Sequence, residues 1–407
     1  MTTATVTAAD IRAAREAVAA VARHTPVLTS RTFSERSGGT IVLKAENLQR
    51  TGSFKVRGVA AKLAALGPEG TARGVVAASA GNHAQAVAAA ARGRGVACEV
   101  FVPEDAPMAK VEAARGLGAI VHEGGGSVEA CIQAALARAA EGGLAFIHPF
   151  DDPAIVAGQG SLGLELLEDV PDLARVVVPV GGGGLCAGIA LAVKEARPEV
   201  EVIGVQAAAC APYAASLDAG EPVPVDSALT IADGIAIKRP GGLPLSIIAR
   251  LADGMAVVGE DAIAETMALL LERCKLVVEG AGAVGIAALL GGQVEPAPRG
   301  VTVAVLSGGN VDAGLLAGIA RRHETASGRR LVLLTRVADR PGGLAKLLAT
   351  VAGTGANIVD VSHVREGLRL HVRETAIELV VETRGSEHAD AVLARLHDAG
   401  YAARVLS

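Results

Sequence analysis

The stretch R-V-V-V-P-V-G-G-G-G-L (175–185) decides the architecture. With its apolar continuation to Val193 it is about long enough to cross a bilayer, yet Pro179 and four consecutive glycines interrupt it. A strand, a glycine turn and a helix explain it better. The same unit recurs: V-V-A-A (75–78), C-E-V-F-V-P (98–103), E-V-I-G-V (201–205) and T-V-A-V-L-S (302–307) are short β-branched runs between alanine-rich helical stretches. That rhythm predicts βα units and a mainly parallel sheet buried on both faces, an α/β fold. In such sheets ligands collect beyond the carboxyl ends of the strands.

Composition agrees. A chain of 407 residues is long for one core and suggests two or three folding units. Its 51% hydrophobic and 20% charged residues suit a compact globular protein and exclude a disordered chain. A net charge of -5, with arginines scattered among acids, offers nothing to a phosphate backbone, so no nucleic-acid partner is expected. Cys98, Cys131, Cys186, Cys210 and Cys274 form no C-x-x-C pair, which disfavours a disulfide framework or a zinc knuckle. The opening M-T-T-A-T-V-T-A-A-D-I-R lacks a basic segment ahead of a long apolar run, so the expected setting is cytoplasmic, without a membrane partner.

Three loops follow predicted strands. In P-V-G-G-G-G-L (179–185) backbone N–H groups at a helix start can converge on an anion, phosphate being the natural guest. A tight turn for close packing is the alternative, although each glycine gives up roughly 0.5–1 kcal/mol relative to alanine. No G-K-[ST] completes a Walker motif, and the next strand ends at Gln206 where a dinucleotide fold would place an acid, which weakens ATP and NAD. S-A-G-N-H-A-Q (79–85) offers a hydroxyl, an amide and free N–H donors to a carboxylate; alone, it reads equally well as an N-cap, and His83 as a packed histidine. L-S-G-G-N (306–310) brings Ser307 to the same rim. Lys55, in R-T-G-S-F-K-V-R-G (50–58), is by default a surface cation with a pKa of about 10.4. Enclosed beside Phe54 it can instead form an imine with an aldehyde cofactor, and a phosphate cradle, an asparagine loop and a serine rim together suit pyridoxal phosphate.

The motifs T-G-S-F-K-V-R-G, S-A-G-N-H-A-Q, V-G-G-G-G-L and L-S-G-G-N, in this order, resemble those of the threonine and serine dehydratases among fold type II, tryptophan-synthase-β-like pyridoxal-phosphate enzymes. H-T-P (24–26), K-A-E-N-L-Q (44–49), G-Q-G-S-L-G-L-E (158–165), T-I-A-D-G-I-A-I-K-R-P-G (230–241) and V-V-E-G-A-G-A (277–283) extend the likeness over about the first 320 residues. The resemblance implies a catalytic domain over 1–322, with a small subdomain of about 50–150 inserted in the large one. It makes Lys55 the imine-forming lysine and Phe54 a wall of the ring pocket, with Asn82 on the cofactor's phenolic oxygen. Gly181, Gly182, Gly183, Gly184 and Leu185 would hold its phosphate and Ser307 its ring nitrogen, while Ser79, Ala80, Gly81, Asn82 and His83 would border the substrate carboxylate. Lys55 and Ser79 are the catalytic candidates, Lys55 taking the α-proton before the β-hydroxyl leaves.

The implied reaction converts L-threonine to 2-oxobutanoate and ammonia, with L-serine as a secondary substrate giving pyruvate, as the first step toward isoleucine. A catabolic serine/threonine dehydratase, a serine racemase-like enzyme and a catalytically inactive amino-acid sensor remain as alternatives. Racemases of this fold use a second serine where this chain has Ala80, and cysteine synthases carry a T-S-G-N-T-like loop from which His83-Ala84 departs. Gln206, Cys210 and Pro212 stand where relatives place divalent-cation carboxylates, so no such metal site is expected.

After a polar segment at 323–330, read as a linker, the tail 331–407 predicts the order βαββαβ, which is ferredoxin-like. A-D-R-P-G-G-L (338–344) and G-A-N-I-V (355–359) resemble an ACT domain, a module that binds small amino acids between paired copies. The resemblance places Asp339, Gly342, Gly343, Leu344, Asn357 and Ile358 around an effector, isoleucine or valine, and implies a homodimer or homotetramer; an oligomerisation role alone is the plainer alternative.

Overall fold

The computed structural model describes residues 5–79, 81–104, 106, 108–226, 229–365 and 370–406. Its strands are β1 (Val27–Thr29), β2 (Ile41–Lys44), β3 (Val75–Ala78), β4 (Cys98–Val102), β5 (Ile120–Glu123), β6 (Ala145–Phe146), β7 (Leu173–Pro179), β8 (Glu201–Ala207), β9 (Gly254–Val258), β10 (Val301–Val305), β11 (Arg330–Ala338), β12 (Asn357–Val364), β13 (Glu374–Glu382) and β14 (Arg404–Val405). The chain divides into a unit of residues 1–312 and one of 313–407.

The first unit holds two sheets. One has the order β1-β2-β10-β7-β8-β9, parallel except for β1 against β2. The other, β5-β4-β3-β6, is wholly parallel and drawn from residues between β2 and β7 in the chain. From β7 the chain winds outward through β8 to β9, then returns as β10 between β7 and β2. This reversal opens a crevice at the carboxyl ends of β7 and β10, where the loops containing Gly181 and Ser307 leave. The apolar run 176–193 is the end of β7, a turn and the helix Gly184–Ala196, whose residues are buried from Gly184 to Val193. No described helix is long and apolar enough to cross a membrane.

The helix Pro153–Asp169 is the bracket of this unit. A Cβ at Gly158 would stand 2.7 Å from Gly58 Cα in the helix Lys55–Thr71, and one at Gly188 would stand 2.6 Å from the Gly160 nitrogen. Glycine at these positions lets the two helices that begin at Lys55 and at the tetraglycine turn lie backbone-close against the same support. A charge cluster fixes the register. Arg57, 1% exposed, donates to both oxygens of Glu46 at 2.8 and 2.7 Å and to both oxygens of Glu165 at 2.6 and 3.0 Å. Lys44, fully buried at the end of β2, pairs with Glu165 at 2.7 Å and Asp169 at 3.0 Å, and Thr25 donates to Glu46. Burial alone would push the Glu46 carboxyl up, but Arg57 outweighs it and holds the group below the usual carboxylate range.

In the second unit, β12-β13-β11-β14 form an antiparallel sheet with the helices Gly343–Ala352 and Ser386–Asp398, which gives the βαββαβ order. Leu333, Leu347, Val351, Ile377, Leu379, Val392 and Leu396 form its core. Of the segment 323–330 expected as a linker, the part through Ala326 continues the helix Ala313–Ala326 and β11 starts at Arg330. Its alanines and charged, straight-chain residues are good helix formers.

Arg57→Met should lower the urea midpoint by the equivalent of about 3–5 kcal/mol, because it strands buried carboxylates. Arg12→Ala, at an exposed pair with Glu195, should change it by less than about 1 kcal/mol.

Candidate active site

Lys55 opens its helix with Phe54 as N-cap. The turn before it is pinned to the loop after β10: the Phe54 N–H donates to the Ser307 carbonyl at 3.1 Å, and Ser53 bridges Gly308. The Lys55 amine donates to the Pro149 carbonyl at 2.9 Å and lies 5.1 Å from the centroid of the Phe54 ring. Burial pushes it down to about 8 while Glu279 pulls it back up. At neutral pH roughly a tenth of such amines are uncharged and nucleophilic, against a few in ten thousand for a free lysine.

Pro149 lies in the turn joining β6 to the helix Pro153–Asp169. Its neighbour Phe150 packs on the tetraglycine turn, where a Cβ at Gly182 would collide with the Phe150 ring and one at Gly184 would lie 3.1 Å from the Phe150 carbonyl. Gly183, at φ +93°, is the N-cap of its helix, and any Cβ there would strike the Tyr213 hydroxyl. That hydroxyl donates to the Gly182 carbonyl at 3.2 Å. The turn is therefore shaped with its carbonyl bonded away, and no side chain caps the helix start.

After β3, the Ser79 hydroxyl accepts the Gly81 N–H at 3.1 Å, and Asn82 begins the helix Asn82–Arg92 without a side-chain cap. Ala80 lies outside the described residues. His83 is 3% exposed; its Nε2 bonds the Ile147 carbonyl at 2.8 Å, and burial, with the Lys55 charge adding to it, pushes it down to about 3. It is a neutral, inward-facing ring. The Asn82 amide donates to Glu279 at 2.6 Å and accepts from Asn310 at 2.8 Å. A segment at 230–241 crosses above, tied by Glu260 to Thr230 and Ile231 at one end and by Gly241 to the Gly182 carbonyl at the other. Along it, a Cβ at Gly234 would lie 3.5 Å from the Glu279 carboxylate, and one at Gly181 would lie 2.9 Å from the Ile235 Cα. Asp233, beside Gly234, pairs with Lys110 of the helix Met108–Gly116.

The structure thus brings Phe54, Lys55, Ser307, Asn82 and the 181–185 turn into one connected set. Sequence reasoning missed Glu279, the Pro149 carbonyl, Phe150, Asn310 and Tyr213. Glu279 carried a signal as the lone acid in V-V-E-G-A-G-A and Asn310 as the end of L-S-G-G-N; the other three carried none. The helices starting at Lys55, Asn82, Gly184 and Gly280 have no side-chain cap, so their positive ends favour an anion. With a buried amine and the asparagine amide at hand, the donors fit a phosphorylated aldehyde.

The comparisons agree with this fit. Residues 18–308 match the family model of the pyridoxal-phosphate dependent enzymes, and 331–400 that of the ACT domain. The chain belongs to the pyridoxal-phosphate dependent enzymes. Like the rest of that family it works with pyridoxal phosphate, and its tail is an ACT domain. An L-threonine ammonia-lyase of Thermotoga maritima is 43% identical over 98% of this chain and 100% of its own length. Another, from Geobacter sulfurreducens, is 45% identical over 94% of this chain and 95% of its own. Among solved structures, maize serine racemase superposes with a TM-score of 0.75 at 33% identity, covering 79% of this chain and 99% of that one.

The ACT residues divide. Asp339, Gly342, Gly343 and Leu344 follow the end of β11, where Ala338 pairs with Glu374; Asn357 and Ile358 begin β12, where Asn357 pairs with Glu382. Those are opposite ends of β13, roughly 25 Å apart at about 3.3 Å per residue. Asp339 bonds Arg365 at 3.1 Å and Asn357 bonds Glu382 at 2.8 Å.

The rate at which cofactor-stripped protein captures pyridoxal phosphate should rise with pH to about 8 and then level off; an unperturbed lysine would keep accelerating toward 10. Stopped-flow absorbance between pH 6 and 10 checks this.

Proposed function

We propose that the chain is a threonine ammonia-lyase that converts L-threonine to 2-oxobutanoate and ammonia, and L-serine to pyruvate more slowly, under control of an amino-acid effector at its ACT domain. The observation that carries the reading is the Lys55 amine, held half-buried on the Pro149 carbonyl at the meeting point of uncapped helix starts, in a chain that aligns end to end with relatives named for this activity.

Bound pyridoxal phosphate supplies the electron-withdrawing system that acidifies the substrate's α-carbon. The chain's own groups do the rest. The 181–185 turn would offer N–H donors to the phosphate, and Ser307, buried just after β10, would meet the ring nitrogen with a hydroxyl rather than a carboxylate. A hydroxyl there would not keep that nitrogen protonated, so the cofactor would supply a weaker electron sink, which favours prompt loss of the substrate's β-hydroxyl. Ser79 and the start of the Asn82 helix hold the substrate carboxylate. Lys55, a base poised near neutrality, takes the α-proton. An alanine at position 80, where racemases of this fold use a second serine, brings no second base, which favours elimination over racemisation. Because the two halves of the effector set lie at opposite ends of one sheet, an effector touching both would sit between two copies of the domain, and valine or isoleucine matches the product logic of the reaction.

Lys55→Ala should reduce 2-oxo acid release from threonine by about a hundred- to ten-thousandfold and abolish the cofactor's visible band. Full turnover in that variant would sink the assignment. Removing residues 331–407 should eliminate the response of kcat/KM to isoleucine while leaving turnover of threonine; retained sensitivity would place the effector elsewhere.

A further inference from the structure

Glu279 has no part in the steps above, yet it is one of the most enclosed acids in the molecule, 3% exposed. It is the N-cap of the helix Gly280–Leu290, its N–H donates to the Gly308 carbonyl at 3.1 Å, and a Cβ at Gly308 would collide with its carboxylate. It therefore stands between Ser307-Gly308 and Asn82, the places that the resemblance assigns to the ring nitrogen and the phenolic oxygen. We propose that Glu279 is a positioning residue of the reaction: its carboxylate fixes the Asn82 amide as a donor toward the cofactor's ring oxygen, and the Lys110–Asp233 pair sets its charge from the overlying segment. The inference rests on the cofactor reading given above.

The hydrogen bonds carry the first half. Asn82 Oδ1 accepts from Asn310, whose own Nδ2 also donates to the Thr51 carbonyl at 2.8 Å, and Asn82 Nδ2 donates to Glu279. With an acceptor on one side and a donor on the other, the amide has a single orientation. An amide nitrogen has two N–H groups, so one remains to meet a phenolic oxygen. A residue that could rotate its amide would offer that oxygen a carbonyl half the time.

The charges carry the second half. Three charged side chains face Glu279: Lys55 from its own helix start, Lys110 from the helix Met108–Gly116, and Asp233 from the turn Asp233–Ile235. Burial pushes the Glu279 carboxyl up to about 7 and Asp233 adds to that; the Asn82 hydrogen bond, Lys110 and Lys55 pull it down. The two members of the outer pair thus act on one buried acid with opposite sign. Lys110 belongs to the stretch between β4 and β5 of the smaller sheet and Asp233 to the larger half, so their contact also reports whether the two halves are together.

The experiment is a pH titration of the bound cofactor's visible absorbance in the full-length holoenzyme, from about pH 5.5 to 9. Wild type should show a midpoint within this range, and Glu279→Gln should lose it. Lys110→Met should move the midpoint up and Asp233→Asn should move it down, since removing a cation favours the protonated acid and removing an anion disfavours it. A merely structural Glu279 would leave the midpoint in place, and persistence of the wild-type profile in Glu279→Gln overturns the proposal. So does a shift of the same sign in Lys110→Met and Asp233→Asn, two sites outside the buried core that keep the test open if Glu279→Gln fails to fold. A cofactor band surviving in Lys55→Ala would instead overturn the site reading itself.

Discussion

The whole site hangs on Arg57 between Glu46 and Glu165. A guanidinium with both forks filled by carboxylates has one geometry, and this one joins three pieces of chain: the segment after β2, the helix that starts two residues earlier at Lys55, and the helix Pro153–Asp169. An imine-forming amine must meet an aldehyde carbon within a few tenths of an ångström, and a lysine has four rotatable bonds with which to miss it. Fixing its backbone two residues away removes most of that freedom. Glycines in the bracket helix do the complementary work, because they let the Lys55 helix and the helix after the tetraglycine turn rest on the same backbone. Amine and phosphate cradle are thereby set at one distance from each other.

That rigidity has an electrostatic use. Four helices of the site start without side-chain caps, so the protein provides positive potential mostly through dipoles rather than through a crowd of cations. Dipoles need no counter-ions and do not titrate. Lys55 is then free to lose its proton near neutrality, which a neighbouring arginine or lysine would assist but which an unshielded acid would oppose. His83, close by, stays neutral because burial and the Lys55 charge outweigh its bond to the Ile147 carbonyl.

The strands were legible because their β-branched runs are short and separated by alanine-rich segments; β3, β4, β7, β8 and β10 coincide with the predicted runs to within two residues at either end. The tail was equally readable, since two alternating strands and a Gly-Gly helix start mark the ACT order. The residues that complete the site were harder to see. Glu279 and Asn82 meet across the fold, 197 positions apart in sequence, and no local pattern announces such a pair. The Pro149 carbonyl has no side-chain signature at all. Arg57, Glu46 and Glu165 each fell inside a quoted motif, but a charged residue in a sequence looks like surface until its partners are known. That the first part of 323–330 is helical was hidden for the same reason: polarity suits an exposed helix as well as a loop.

Burial treats a cation and an acid in opposite ways, and here both lie in one enclosure. Lys55 falls to about 8 and Glu279 rises to about 7, so two groups that would be six units apart in water come to titrate side by side. Each favours the other's charged form, as lysine and carboxylate should, but desolvation dominates both. The site's proton inventory near pH 7 is then decided by small differences: a hydrogen bond from Asn82, the balance of Lys110 against Asp233, or the arrival of an anionic ligand. A site built in this way answers to the Lys110–Asp233 pair above it through charge alone, without any catalytic atom having to move.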